Sequence, residues 1–233
     1  MRLLLRDDQW EPIKNLLPSR QGDPGVTARD NRLFVEAVLW IEHTGAPWRD
    51  LPREFGKWHT VYMRFHRLTK KGVWKQIVER LCGEADLEEF IPDSTVVRVH
   101  QHGARARKKN RRPAGHRALL RGADDEIPCG HRHLQAPALL EGFSPKRVIA
   151  DRAYDADSFI GKVWAFGAEA VIPTRHNRVE QREYDRHWYK NRNLVERFFN
   201  RIKQFRRIAR HYEKLDRNFM AMIDIACIFV WLL

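Results

Sequence analysis

The chain has 233 residues with a hydrophobic content of 43%, which is enough apolar material for a packed core and excludes wholesale disorder. Lys and Arg number 43 against 30 Asp and Glu, so the formal net charge is +13. This excess favours a polyanionic partner, most often nucleic acid, over a chain whose charged faces are merely solvated.

The three cysteines are far apart, and the longest apolar stretch has 15 residues, short of the roughly 20 that a membrane span needs. We therefore expect a cytoplasmic protein that makes no membrane contact.

The first part of the chain, residues 1–85, predicts short helices joined by tight turns. Apolar residues recur at helical spacing in four successive segments: RDDQWEPIKNLLP, RDNRLFVEAVLWIEHTG, KWHTVYMRFHRLTKKG and VWKQIVERLCG. The third of these is both basic and aromatic. Together they indicate a helix-turn-helix-like DNA-binding domain, and the alternative is a helical bundle that only packs on its neighbour.

The pattern changes after residue 86, where strands alternate with helices. IPDSTVVRVH predicts a strand beginning near Asp93, and RVIADRAYDAD and AEAVIP predict two more. DADSFIGKVWAFG predicts a helix between the last two strands, and one long basic amphipathic helix is expected over residues 191–214. The fold class is thus α/β (α+β overall), with a helical domain over 1–85 and a mixed-sheet domain over 86–233.

The segment 101–137 fits neither periodicity. Residues 98–121 contain nine Lys or Arg and no acid, and the following GADDEIPCGHRHLQAPALL alternates at neither period 2 nor 3.6. We interpret it as an irregular basic loop. An alternative is a zinc site, although C-x-H-x-H is not a common structural spacing; its ligands would be Cys129, His131, His133 and His116.

Three carboxylates stand out by their context. Asp93 opens a predicted strand, Asp151 closes another, and Glu196 lies within a predicted helix. Carboxylates gathered from separate elements are the ligands that Mg²⁺ prefers, and two such ions can activate a nucleophile and stabilise the leaving oxygen in phosphoryl transfer. Each acid alone also has an ordinary interpretation, as a turn Asp, a capping Asp or a surface Glu.

The predicted helix around Glu196 gathers polar side chains on one face. At about 100° per residue, and if the helix extends back to residue 189, four side chains fall within a sector of about 60°: Tyr189, Arg192, Glu196 and Lys203. Such a face could hold a metal ion and bind phosphates. An ordinary surface ion pair is the alternative, because Glu196 and Arg192 are four residues apart. A basic stripe on the same segment is the best candidate for DNA contacts: Arg201, Lys203, Arg206, Arg207 and Arg210.

Several motifs occur together in this order: LRDDQWEPIKNLLP, GAPWRDLPREFGKWHTVYMRFHRL, DSTVVRVHQH, IADRAYDAD, Y-x-x-R-x-x-x-E-x-x-x-x-x-x-K and QFRRIARHYEKL. In combination they resemble the DDE transposases of bacterial insertion sequences, in the insertion-sequence-five superfamily. The resemblance covers nearly the whole chain. It implies a ribonuclease-H-like catalytic domain over residues 86–233, Mg²⁺-dependent cleavage and joining of DNA with Mn²⁺ as a possible substitute, and a homo-oligomer bound to double-stranded element ends and target.

The resemblance also assigns individual residues. Asp93 matches the first catalytic Asp, Asp151 the second and Glu196 the Glu, and the same three would bind the metal. The signature residues around the Glu are matched by Tyr189, Arg192 and Lys203. Asp155 and Asp157 match accessory positions, where we expect them to shape and cap the turn.

The middle of the chain departs from this family pattern. A Gly-rich turn and two further strands are expected before LLEGFSPKRVIAD, and RRPAGHRALLRGADDEIPCGHRHLQAP has neither. Our hypothesis is that this segment is frameshifted or scrambled, with the frame recovering near Leu139, so that the sheet is incomplete. Two functions stay open beside a transposase: a catalytically inactive DNA-binding remnant, and a nuclease without strand transfer.

Overall fold

The computed structural model of the chain describes residues 5–19, 30–83, 88–98, 124–129 and 144–232, with the backbone alone for 82–83, 93–98 and 124–129. The chain forms two compact units. A helical unit comprises Met1–Glu84, Val97–Asp125 and Arg201–Leu233, and a sheet unit comprises Ala85–Val96 and Glu126–Asn200.

Helices dominate the described residues, with a small parallel sheet. In chain order the helices are α1 Asp7–Trp10, α2 Asn31–Thr44, α3 Trp58–Lys70, α4 Val73–Gly83, α5 Asp157–Ala165, α6 Arg186–Tyr189, α7 Asn193–Ile202, α8 Arg206–Ala209 and α9 Asp216–Trp231. The strands are β1 Glu89–Phe90, β2 Asp93–Arg98, β3 Asp124–Cys129, β4 Arg147–Ile149 and β5 Glu169–Val171. Short 3-10 turns occur at Trp48–Asp50, Arg53–Phe55, Arg152–Tyr154 and Lys190–Arg192.

Helix α2 forms where the sequence predicts it, and local signals mark both of its ends. The carboxylate of Asp30 accepts a hydrogen bond from the Leu33 N–H at 2.8 Å, which caps the first turn. Gly45 ends the helix at φ 71°, a left-handed conformation that favours glycine. A side chain at Gly45 would also meet the Arg206 and Tyr212 side chains at 3.1 Å. The predicted helices α2, α3 and α4 are confirmed.

The first predicted helix is much shorter than expected. Helix α1 ends at Trp10, and turns follow as far as Leu16. Pro12 has no backbone N–H to donate, so the helical hydrogen-bond series is interrupted there. The prediction that this helix runs to Pro18 is wrong.

The core of the helical unit includes the C-terminal helix. Helix α9 packs against α4 and α3, and α2 packs against α8. Phe65, Met222 and Ile225 are among the buried side chains. These contacts place Arg201–Leu233 in the same unit as the N-terminal helices. The division of the chain into two domains at residue 86 stays a prediction. None of the helices within the described ranges is both long and apolar enough to cross a bilayer.

The sheet unit is built on three parallel strands in the order β1-β4-β5. Phe90 of β1 pairs with Val148 of β4, which pairs in turn with Ala170 of β5. Helix α5 connects β4 to β5 and buries Phe159, Ile160 and Val163 in the core of this unit. This arrangement confirms the predicted strands at RVIA and AEAV and the helix between them.

The strand that begins at Asp93 forms as predicted, and it lies outside the parallel sheet. β2 and β3 form a separate two-stranded sheet, and the short strand β1 pairs with β4. The prediction that segment 101–137 is irregular throughout is therefore wrong for Asp124–Cys129. Pro128 is tolerated there because each strand of a two-stranded ribbon has an unpaired edge.

The prediction of one long helix over residues 191–214 is also wrong. Helix α7 ends at Ile202, and Phe205 adopts an extended conformation with φ −77° and ψ 101° before α8 begins. The Phe205 side chain is buried and makes edge-on contacts with the rings of His43 and Phe229. The chain therefore leaves the helical conformation at Phe205, where the buried ring packs within the helical unit.

Candidate active site

Asp151 lies directly beyond a buried strand. Val148, Ile149 and Ala150 are fully buried, whereas Asp151 is half-buried. Its Oδ1 atom accepts a hydrogen bond from the Ala153 N–H at 2.9 Å and caps the 3-10 turn Arg152–Tyr154. The carboxylate of Asp151 therefore lies at the carboxyl end of a strand of the parallel sheet, where open α/β sheets bind their ligands.

Asp93 follows the neighbouring strand β1 as Asp151 follows β4. Phe90 pairs with Val148 in parallel register, and Asp93 follows Phe90 by three residues, as Asp151 follows Val148. Both acids thus come three residues after a paired position, beyond the carboxyl ends of adjacent parallel strands. The side chain of Asp93 lies outside the described residues, as do the side chains of the alternative zinc set at 116, 129, 131 and 133.

Glu196 is exposed on helix α7, with 54% of its side chain accessible. Its Oε1 atom accepts a hydrogen bond from Nη1 of Arg192 at 2.8 Å. This is the surface ion pair that the spacing allowed as an alternative. An exposed pair of this kind contributes only about 0.3–0.5 kcal/mol, so it does not prevent the carboxylate from binding a cation.

The donor chemistry of the three predicted ligands fits a hard divalent cation, because all three are carboxylates. Among the side chains that the structure describes, no three His, Cys, Asp or Glu groups gather into a metal-binding cluster. The carboxylate of Asp93 is not one of those side chains, so this finding covers two of the three predicted ligands.

Two other residues of the predicted helical face are placed differently from expectation. Tyr189 ends helix α6 and packs edge-on against Tyr184, with ring centroids 5.4 Å apart. Lys203 is exposed in the turn after Ile202. Lys203 therefore does not lie on the same helix as Glu196, whereas Arg192 and Glu196 are in contact as the spacing predicted.

The predicted basic stripe needs one correction. Arg201, Lys203, Arg206 and Arg210 are exposed, but Arg207 is buried. Its Nε atom lies 2.6 Å from Oε1 of Glu213, and its Nη1 atom donates to the Ala46 carbonyl at 2.8 Å. Because its donors are directed to partners within the helical unit, Arg207 does not belong to an exposed DNA-contacting surface.

A polar cluster that the sequence did not predict lies next to Asp151. The carboxylate of Asp155 is fully buried, 2.9 Å from Nε of Arg178, and also pairs with Arg182. Oδ2 of Asp155 accepts the Arg175 backbone N–H at 2.7 Å. Asp155 and Asp157 were expected to shape the turn; the spaced arginines of PTRHNRVEQR are the signal that could have revealed their partners.

Two family models match separate parts of the chain. Residues 5–78 match the family described as "Putative transposase of IS4/5 family", and residues 148–233 match "Transposase DDE domain". The second match contains Asp151 and Glu196. Residues 79–147, which include Asp93, lie between the two matches.

Three bacterial proteins are similar to parts of the chain. The "Uncharacterized protein y4sN" of Sinorhizobium fredii is 43% identical over 104 residues, covering 45% of this chain and 83% of that protein. The "Putative transposase for insertion sequence element IS6501" of Brucella ovis is 39% identical over 100 residues, covering 42% of this chain and 77% of that protein. The "Insertion element IS402 uncharacterized 16.2 kDa protein" of Burkholderia cepacia is 30% identical over 108 residues, covering 41% and 74%.

No solved structure matches this chain. The two family matches and the insertion-sequence relatives agree with each other and with the resemblance of the sequence motifs. The chain therefore belongs to the transposases of bacterial insertion sequences, with an N-terminal part of the IS4/5 kind and a DDE domain.

Proposed function

We propose that this chain cleaves DNA at the ends of an insertion element and transfers the freed strands to target DNA, with Asp93, Asp151 and Glu196 as the catalytic carboxylates. The observation that carries the proposal is the parallel pairing of Phe90 with Val148. It supports the proposal because Asp93 and Asp151 each follow a paired residue by three positions, and open α/β sheets bind their ligands beyond the carboxyl ends of their strands.

These carboxylates would hold Mg²⁺, with Mn²⁺ as a substitute, and the bound ions would supply an activated nucleophile and stabilise the leaving oxygen. The chain's own residues orient the donors. The Ala153 N–H holds one oxygen of Asp151, and Arg192 holds one oxygen of Glu196. The guanidinium of Arg192 is also suited to a phosphate of the bound DNA.

DNA would contact exposed basic residues of the helical unit. The accessible members of the basic stripe are Arg201, Lys203, Arg206 and Arg210. Helix α3 adds an exposed face that contains His59, Met63, Arg67 and Lys70. With a net charge of +13, such contacts would bind the element's ends in a strongly salt-dependent way, within a homo-oligomer.

A non-catalytic DNA-binding remnant is the second candidate. Two observations favour it: β2 pairs with β3 outside the parallel sheet, and the family matches leave out residues 79–147. Both concern the part of the chain that contains Asp93. A remnant would keep the exposed basic residues and lack strand cleavage.

Cleavage of element-end DNA in Mg²⁺ or Mn²⁺ distinguishes these functions. A transposase gives cleaved and joined products, and Glu196→Gln abolishes both. Cleavage without a joined product indicates a nuclease. Metal-independent binding, with no cleavage by either protein, indicates the remnant and contradicts our proposal.

A further inference from the structure

The loop that follows β5 is bound to the turn that follows β4. The Arg175 Nε donates to the carbonyl of Arg152 at 3.2 Å, and its Nη2 donates to the carbonyl of Ala153 at 2.9 Å. Both carbonyls belong to the 3-10 turn that Asp151 caps. A planar guanidinium can bind two such acceptors at once, whereas an ammonium group offers a single point of attachment.

Arg175 also holds the same turn through its backbone. Its N–H donates to Oδ2 of Asp155 at 2.7 Å, and Asp155 immediately follows the turn. The main chain and side chain of this one residue thus bind Arg152, Ala153 and Asp155, all shortly beyond Asp151.

The anchor of this arrangement is a buried ion-pair cluster. The Asp155 side chain has 0% accessibility and pairs with Arg178 and Arg182. Arg178 also reaches Asp157 at 2.8 Å. A buried carboxylate between two guanidinium groups is fixed in place, because a charge with no access to water is stable only while it stays paired. The loop that contains Arg175 is therefore held rigidly against the turn.

We propose that Arg175 is a positioning residue for Asp151, an inference that rests on the proposed metal-binding role of Asp151. The Arg175 side chain donates a hydrogen bond to the carbonyl of Ala153, and the N–H of Ala153 donates one to the carboxylate of Asp151. The aspartate oxygen is oriented through a residue whose backbone Arg175 restrains. Groups that hydrogen-bond a metal ligand directly, as the Ala153 N–H would, typically change metal affinity or activity by about 10–100-fold when they are removed. Arg175 acts on that group and not on the ligand itself, so its removal should have a smaller effect.

Three variants of the full chain test this role: Arg175→Met, Arg175→Lys, and Arg186→Met as the matched control. Arg186 is an exposed arginine of the same unit, and within the described part of the chain its side chain makes no hydrogen bond. The first measurement is amide hydrogen exchange of residues 150–156. We expect exchange to rise at least about fivefold in Arg175→Met, because the variant loses both side-chain hydrogen bonds to the turn. The rise should be smaller in Arg175→Lys and absent in the control.

The second measurement is a calorimetric Mn²⁺ titration of the same proteins, with Asp151→Asn as the reference for removal of a ligand. We expect Arg175→Met to weaken Mn²⁺ binding by up to about tenfold, below the usual effect of a group bonded directly to a ligand. Arg175→Lys should fall between it and wild type, and Arg186→Met should match wild type. Unchanged exchange in Arg175→Met overturns the proposal. Raised exchange with unchanged Mn²⁺ affinity also overturns it, since Arg175 would then be structural only.

Failure of the proposed function has a separate signature. If wild type and Asp151→Asn bind Mn²⁺ equally, Asp151 is not a metal ligand and the positioning role falls with it. Exchange raised in Arg175→Met would still support the restraint of the turn by Arg175. Because Arg175→Lys preserves the charge, it provides the comparison if Arg175→Met fails to fold.

Discussion

Arg207 and Glu213 form a buried ion pair, with Nε and Oε1 2.6 Å apart. Their side chains have accessibilities of 8% and 7%. Arg207 also donates to the Ala46 carbonyl, so this arginine connects the start of α8 to the chain after α2. Its position identifies it as a structural residue of the helical unit, although the sequence places it in a row of DNA-contacting arginines.

We therefore predict that Arg207→Ala lowers the free energy of unfolding by about 3–5 kcal/mol, because Glu213 is left buried without its partner. Arg210→Ala, at an exposed position, should change it by less than about 0.5 kcal/mol. Urea denaturation of both variants measures the difference. Equal stability of the two variants would show that the buried pair is not formed in solution.

Local signals explain what the sequence predicts correctly. Asp30 and Gly45 are the start and stop of α2, and both act through neighbouring backbone groups. The apolar run that ends at Asp151 similarly predicts β4 and the place of its acid. Interactions within a few residues are visible in a single sequence.

Tertiary contacts explain what the sequence does not predict. The break at Phe205 depends on rings at His43 and Phe229, and the burial of Asp155 depends on arginines more than twenty residues away. Strand β1 has only two residues, Glu89 and Phe90, too few for an alternating pattern. Neither periodicity nor spacing carries information on such partners.

Asp155 provides a second stability prediction. Asp155→Asn removes the buried charge that pairs with Arg178 and Arg182. Because both arginines keep Asp157 as a partner, the free energy of unfolding should fall by about 1.5–3 kcal/mol. The matched control is Asp157→Asn, since Asp157 contacts the same arginines but its side chain is 79% exposed. In that variant the decrease should be less than about 1 kcal/mol. Chemical denaturation followed by fluorescence measures both, and a larger decrease in Asp157→Asn would contradict the assignment of Asp155 as the anchor.

Asp224 predicts a pH dependence of stability. Burial raises the pKa of this carboxyl to about 6 from an ordinary 3.8, while Lys75 lowers the pKa and Glu79 raises it. A carboxyl whose folded pKa is raised contributes stability that is fully present below pH 3.8 and is lost as the pH rises through about 6.

The expected test is Asp224→Asn, which cannot ionise. Because the group is partly exposed, we discount the shift to about 1–2 kcal/mol. At pH 8 the variant should be more stable than wild type by that amount, with the difference shrinking towards pH 4. Melting temperatures of both proteins across this range provide the measurement. A constant difference between them would show that Asp224 does not titrate in this window.

The segment between the two family matches gives a prediction about the gene. If residues 113–137 are read out of frame, another frame across these codons should encode alternating strands and a Gly-rich turn. Restoring that frame should then produce a chain that cleaves element-end DNA faster than this one. If no frame encodes such a pattern, the frameshift hypothesis is wrong and strand Asp124–Cys129 belongs to the natural fold.

Lys203 tests the proposed DNA contact surface. It is exposed beside Arg201 and Arg206, and removal of one phosphate-binding cation should reduce the slope of log K against log salt by about 0.9. Lys203→Ala should therefore bind element-end DNA more weakly and with a shallower salt dependence than wild type. Lys162→Ala removes the same charge from an exposed site on α5 and serves as the control. Fluorescence anisotropy at several salt concentrations measures both slopes. Because the two variants have the same net charge, equal slopes would indicate that long-range charge, and not a local interaction at Lys203, governs DNA binding.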